Sequence, residues 1–298
     1  MAVSLNALVV PLASSRFGDY LQLTKPRLNL LVVFTTAGGY WLGLGGQVDV
    51  GLLFHAVVGT TLVAGGSAVF NQLYERDVDA LMTRTKTRPL PDGRLSPAQA
   101  FWFGLVLCAL GLAQLALLIN PLSAAVAFAT LVTYVLVYTP MKRWSSFSTV
   151  VGAIPGALPP VIGWAAATNT LSREAWLLFA IVFLWQMPHF LALAWMYRDE
   201  YGRAGFPILP VSEPDGRSTA RQTMAYAAAL LPVSLAPALI GLAGGVYFGI
   251  ALVLGVGFLW LAFQFARKLT RPSARDLFLG SIIYLPLIWI LLMATRVP

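Results

Sequence analysis

Apolar runs of about 18–22 residues recur from one end of the chain to the other, each long enough to cross a bilayer as a helix. Polar or Gly/Pro-containing breaks close each run. Nine such segments can be drawn, at about 28–46, 52–73, 99–119, 122–139, 148–167, 174–197, 223–243, 245–266 and 277–295. With the N-terminus on the cytoplasmic side and the path alternating, only Arg173 and Arg296 among the 20 Lys and Arg residues fall outside. The outer turns GGQVDVG, INPL, TNTLSRE and LAGGVYF are short and nearly uncharged. Excess basic charge on cytoplasmic loops is what orients a membrane protein, so the asymmetry supports nine spans and an outside C-terminus.

Composition agrees. The 298 residues are 58% hydrophobic and 11% charged, with a mean hydropathy of +0.75. A soluble domain of this length would carry far more charge. The expectation is an all-α polytopic membrane protein forming a single membrane-embedded domain over 1–298. The net charge of +8 then reflects cytoplasmic loops rather than affinity for nucleic acid. Cys108 is the single cysteine and lies in an apolar run, which excludes an internal disulfide and argues for plain packing. The opening residues, MAVSLNALVVPLASSRFGDYLQLTKPR, lack a basic leader and an Arg-rich transit pattern. They read as a short amphipathic cytoplasmic lead-in and favour a bacterial plasma membrane.

Two cytoplasmic loops, at about 74–98 and 198–222, exceed the rest in length, and each contains PDGR, at 91–94 and at 214–217. Each runs into a helix start: Ser96-Pro97-Ala98-Gln99 fits a capping box with proline in the first helical position, and Thr219-Ala220-Arg221-Gln222 fits a second. Two similar halves meeting around one cavity would explain the repeat; so would common turn chemistry.

The first loop gathers the charge. If the second span continues past the membrane surface, Asn71, Glu75 and Asp79 stand four apart along one helical stripe. One amide and two carboxylates at a membrane mouth suit Mg²⁺, which takes a carboxylate or two and leaves positions for phosphate oxygens. Asp77 lies off the stripe, as a second ligand or facing solvent. Arg84, Lys86 and Arg88 follow at once, with the geometry and charge to hold phosphate. Acid stripe and basic cluster together predict a metal–diphosphate site. Tyr138 and Lys142, again four apart, end the fourth span on the same side, and Lys25 precedes the first. The later loop adds Asp199, Tyr201 and Arg203. The fifth span, VGAIPGALPPVIGW, has the prolines and glycines of a kinked helix lining a cavity. In the sixth, Trp185, Gln186 and His189 sit in WQMPHF. His189 is about 12 Å in from the cytoplasmic end, and an ionisable residue at that depth is a functional candidate.

TKPR (24–27), NQLYERDVDALMTRTKTRPLPDGR (71–94), YTPMKR (138–143), GAIPGALPPVIGW (152–164) and WQMPHFLALAWMYRDEYGRAGFPILPV (185–211), in this order, resemble the UbiA superfamily of intramembrane prenyltransferases. WQ-x-PHF and EY-x-x-AG-x-P-x-LPV are similar to its heme branch. The resemblance implies nine helices around a central cavity. It implies transfer of a farnesyl group from farnesyl diphosphate to a vinyl group of protoheme IX (heme B), with addition of water, Mg²⁺ as cofactor, and heme O as product for terminal oxidases. A downstream heme A synthase would be a partner. Carried over by position, Asn71, Glu75 and Asp79 would be the catalytic metal set, although Glu75 stands where many members have aspartate. His189, with Trp185 and Gln186, would bind the heme or position the water. No pair of carboxylates four apart occurs in the later loop, where the superfamily has a second pair. Alternatives are a prenyltransferase for an aromatic or quinone precursor, a non-catalytic heme carrier, and a transporter.

Overall fold

The computed structural model describes residues 15–45 and 48–297. Of the expected lead-in, residues 1–14 lie outside the described residues. The remainder forms α1 (Arg16–Leu23), capped by the Ser15 side chain, an amphipathic helix that buries Asp19 and Leu23 and exposes Phe17 and Leu21. α2 (Pro26–Leu44) and α3 (Val50–Asp79) follow. Then come α4 (Pro97–Leu118) and α5 (Pro121–Met141), the latter widened into a π-turn at Thr133–Tyr138. A bent pair follows, α6 (Ser148–Ala157) and α7 (Pro159–Thr168). The second part holds α8 (Arg173–Met196), two short helices α9 (Arg198–Arg203) and α10 (Leu209–Ser212), and the long α11 (Arg217–Leu239), α12 (Gly245–Lys268) and α13 (Arg271–Ala294).

Among the described residues, eight helical segments are long and apolar enough to cross a membrane, α6–α7 counting as one. α2 is the ninth; its 19 residues include Arg27, Asn29 and several Gly and Thr positions that dilute its hydropathy. The protein is therefore a multi-pass membrane protein of the expected all-α class. Long side chains do not bring α2 and α7 together; missing ones do. A Cβ on Gly163 would overlap the Thr36 carbonyl oxygen, and one on Gly39 the Pro160 carbonyl. Such backbone-to-backbone approach is how small residues join helices where lipid provides no hydrophobic drive. Gly163→Val is expected to destabilise the protein by about 3 kcal/mol, the upper range for overpacking, read as a lowered unfolding midpoint in detergent.

Helix starts differ from the hydropathy boundaries where polar caps lie outside the hydrocarbon. α11 and α13 begin at Arg217 and Arg271, well before the apolar runs. The Ser96–Gln99 capping box forms in both directions, with Pro97 in the first turn. The box expected at Thr219 does not. Gly216, at φ 73°, caps α11 instead, so Thr219 falls inside the helix, fully buried, its hydroxyl without a partner. A reciprocal box occurs at Thr270–Ser273. Both PDGR turns place glycine in the same left-handed conformation, Gly93 and Gly216 at φ 73°, which only glycine adopts without strain. A half-open cavity of about 170 Å³ is lined from Lys25 through Ile162, by residues of the first part of the chain.

Candidate active site

α3 is the spine of the site. It runs unbroken from its Asp49 cap to Asp79, and its last turns bury Asn71, Glu75 and Asp79 on one face, each no more than 3% exposed. Buried charges need partners, and each of the three side chains on this stripe meets a basic group. Lys25 Nζ donates to Asn71 Oδ1 at 2.8 Å. Lys142 Nζ donates to both Glu75 carboxylate oxygens at 3.1 and 3.2 Å. Arg88 Nη1 donates to Asp79 Oδ2 at 2.6 Å. Three basic groups thus face two carboxylates and one amide.

Each cation arrives by a specific local device. Lys25 is left-handed at φ 50°, ψ 56°; Pro26 follows it, and a residue before proline is excluded from the ordinary helical region. Burial pulls the Lys25 ammonium down to about 7, Arg88 and Lys142 adding repulsion that Glu75 and Asp79 offset in part. Lys142 ends α5 beyond the π-turn that presents Tyr134 and Tyr138, rings 5.3 Å apart. Burial opposes the Lys142 charge most strongly, but Glu75, Tyr138 and Tyr201 together hold the group above the ordinary lysine value. Its ammonium also lies 4.7 Å from the Phe206 ring centre. Arg88 sits in the turn after α3, where Thr85 Oγ1 donates to the Asp79 carbonyl at 2.7 Å.

The cavity opens beside this cluster. Lys25 is in its wall, with Ser67, Tyr134, Gly156 and Ile162. Its apolar lining, with the Lys25 ammonium in the wall, would accommodate an amphiphile with an anionic head.

Other expected residues are brought in unevenly. Arg84 reaches the later loop, Nη2 to the Tyr201 hydroxyl at 3.5 Å, and lies over the Tyr197 ring. Tyr201 therefore joins the rim. Lys86 is exposed. Asp77 is turned away from the stripe, 72% exposed and paired with Arg76 at 3.3 Å, because two residues along a helix rotate a side chain most of the way round. Asp199 is 92% exposed beside Arg198, and Arg203 is exposed. In α8 the expected trio divides. Gln186 faces α6, its amide donating to the Ala153 carbonyl at 3.2 Å, against the glycine at 156 that lines the cavity. Trp185 and His189 face α13. Trp185 Nε1 donates to the Ser281 carbonyl, and His189 Nδ1 bonds Ser281 Oγ at 2.7 Å, its ring stacked with Trp185 and Phe278. Thr139, whose Oγ1 accepts from Asn71 Nδ2 at 3.2 Å, was missed by sequence reasoning; nothing in its local pattern distinguishes it from other helical threonines.

Mg²⁺ fits this donor set. Two buried carboxylates and an amide are hard oxygens too few for a closed cage, and among the described residues no group of three or more His, Cys, Asp or Glu forms one. A metal held here would complete its sphere with water and phosphate oxygens.

Residues 31–291 match the UbiA prenyltransferase family. The protoheme IX farnesyltransferase of Solibacter usitatus is 49% identical over 287 residues, covering 93% of this chain and 98% of that protein. The protein of the same name from Myxococcus xanthus is 44% identical over 283 residues, 94% and 95% of the two chains. A solved digeranylgeranylglyceryl phosphate synthase has a TM-score of 0.80 at 15% identity, over 94% of this chain and 98% of that one. A UbiA homologue from Archaeoglobus fulgidus bound to GPP and Mg²⁺ has a TM-score of 0.68 at 17% identity, over 93% and 100%. At these identities the solved structures establish the fold.

Proposed function

The chain belongs to the UbiA prenyltransferase family, and from that premise we propose that it transfers farnesyl from farnesyl diphosphate to a vinyl group of heme B, with addition of water, to give heme O. The observation that carries the reading is the buried stripe Asn71–Glu75–Asp79, met by Lys25, Lys142 and Arg88, with Lys25 also in the wall of an apolar cavity. The heme acceptor is supported by curated relatives such as that of Solibacter usitatus.

An incoming diphosphate offers Lys25, Lys142 and Arg88 anionic oxygens in place of Asn71, Glu75 and Asp79, and so frees those side chains for a metal. Mg²⁺ bound by the three would act as a Lewis acid on the leaving diphosphate. The cations neutralise the charge that develops on that group, where preorganised charge lowers the barrier most. As the allylic C–O bond breaks, the electron pair leaves with diphosphate and a farnesyl cation remains. The ring faces of Tyr134 and Tyr138 stabilise cations, and the apolar wall keeps bulk water away. The vinyl group attacks the allylic carbon; the cation formed beside the macrocycle takes up one water and releases a proton. A role for His189 as iron ligand would use Nε2, with Nδ1 held by Ser281 as ligating imidazoles are commonly oriented. His189→Ala protein that binds heme B with an unchanged spectrum would exclude it.

The enzyme is proposed to act in the bacterial cell membrane, N-terminus cytoplasmic and C-terminus outside, as one domain over 1–298, and to hand heme O to a heme A synthase or an oxidase. Purified protein given heme B, farnesyl diphosphate and Mg²⁺ is expected to yield hydroxyfarnesylated heme by mass spectrometry, and none with EDTA. Prenylation of 4-hydroxybenzoate instead would assign the quinone-type reaction.

A further inference from the structure

The mechanism uses neither Arg94, from the first PDGR, nor Asp19, the buried acid of α1. They form one junction. Arg94 Nε donates to Asp19 Oδ1 at 2.9 Å. Its Nη2 donates to the Thr87 carbonyl at 3.1 Å and reaches Gln22 Oε1 at 3.5 Å, and Nη1 pairs with Asp92. One guanidinium thus ties α1 to both limbs of the turn after α3. Beneath it Leu23, Val69, Leu90 and Leu95 share a small apolar core, closed by a Leu95 N–H to Pro89 carbonyl bond at 3.2 Å. Gly93, left-handed at φ 73°, turns the chain so that Arg94 comes back over this core.

Each limb of the junction sends one cation to the stripe. α1 ends where Gln72 Nε2 donates to the Leu23 carbonyl at 2.6 Å, and two residues later Lys25 reaches Asn71. The other limb carries Arg88, one residue past Thr87, to Asp79. We propose that Arg94, anchored by Asp19, is a positioning residue for diphosphate: it acts through Lys25 and Arg88 by fixing the two limbs that bear them. The inference rests on the diphosphate reading above. The Asp19 side chain is 11% exposed and that of Arg94 30%; Asp19→Asn leaves a neutral amide in place of the carboxylate, and the guanidinium keeps Asp92 and the Thr87 carbonyl, so no buried charge is left without a partner. Loss of the pair therefore appears as misplaced cations rather than an unfolded protein, and small misplacements of binding groups cost up to about a hundredfold.

Steady-state kinetics of the full chain in detergent test this. Arg94→Gln and Asp19→Asn are each expected to raise KM for farnesyl diphosphate about tenfold, leaving KM for heme B unchanged. The double variant should be no worse than either single one. Arg94→Lys, which can hold Asp19 but lacks the fork that also reaches Thr87, should fall between. If Arg94→Gln does not accumulate folded, Asp19→Asn, which keeps the guanidinium's bonds within the turn, decides the matter. An unchanged KM for farnesyl diphosphate, or an equal rise for both substrates, overturns the assignment. Absence of product from the wild-type protein overturns the functional reading and this inference with it; wild-type product with unaltered variants overturns the inference alone.

Discussion

Replacing Asp79 by Ala or Asn is expected to lower turnover by about a thousandfold or more, the range found when a group that stabilises developing charge is removed, while the protein stays folded. Asp79 is 1% exposed and is bound by Arg88. Without the carboxylate the site loses the oxygen proposed for the metal and the partner that holds Arg88 in register. Arg88 is 24% exposed, so its freed guanidinium can turn to water, and the stability cost is small. Asn tests the charge apart from the shape. Product formation by mass spectrometry, with the unfolding midpoint as control, makes the measurement. Normal turnover in folded Asp79→Ala protein would remove the metal assignment.

Lys142→Met is expected to affect stability and activity alike. Its ammonium contacts both oxygens of Glu75, whose side chain is 3% exposed against 17% for the lysine. Removing one partner of a buried pair leaves the other charge uncompensated, at about 3–5 kcal/mol. The unfolding midpoint should fall by roughly 10 °C, taking a few degrees per kcal/mol for a chain of this size. Lys142→Met/Glu75→Leu should recover most of that midpoint, since replacing a whole buried pair with apolar groups is often neutral. It should remain inactive, having lost the proposed metal ligand and the proposed phosphate cation. Recovery of activity along with stability would show that the pair only supports the fold.

These expectations differ in how far they could be read from the chain. The stripe could be read entirely, because Asn71, Glu75 and Asp79 are neighbours along one helix and 3.6-residue geometry places them without reference to anything else. Their partners could not. Lys25 is 46 residues from Asn71 and Lys142 is 67 from Glu75, and nothing local says which cation meets which acid. Asp77, Lys86, Asp199 and Arg203 share the composition of the site's neighbourhood and were brought no closer. Composition cannot separate a residue that faces the cavity from one that faces water. His189 could be assigned to a helix from the sequence, but which helix its ring would meet depends on the packing of α8 against α13.

What the sequence by itself determined is whatever the bilayer or the helix period imposes locally: membrane-sized helices, the Ser96 cap, and the line of oxygen-bearing side chains Asn71, Glu75 and Asp79. Only the tertiary structure decided the pairing of three cations with that line, the placing of the cavity within the first part of the chain, and the Arg94–Asp19 junction. Local rules bear on residues within a turn or two. The site is made by contacts across dozens of residues, and their partners are selected by the packing of α2 on α7 and α3 on α4 as a whole.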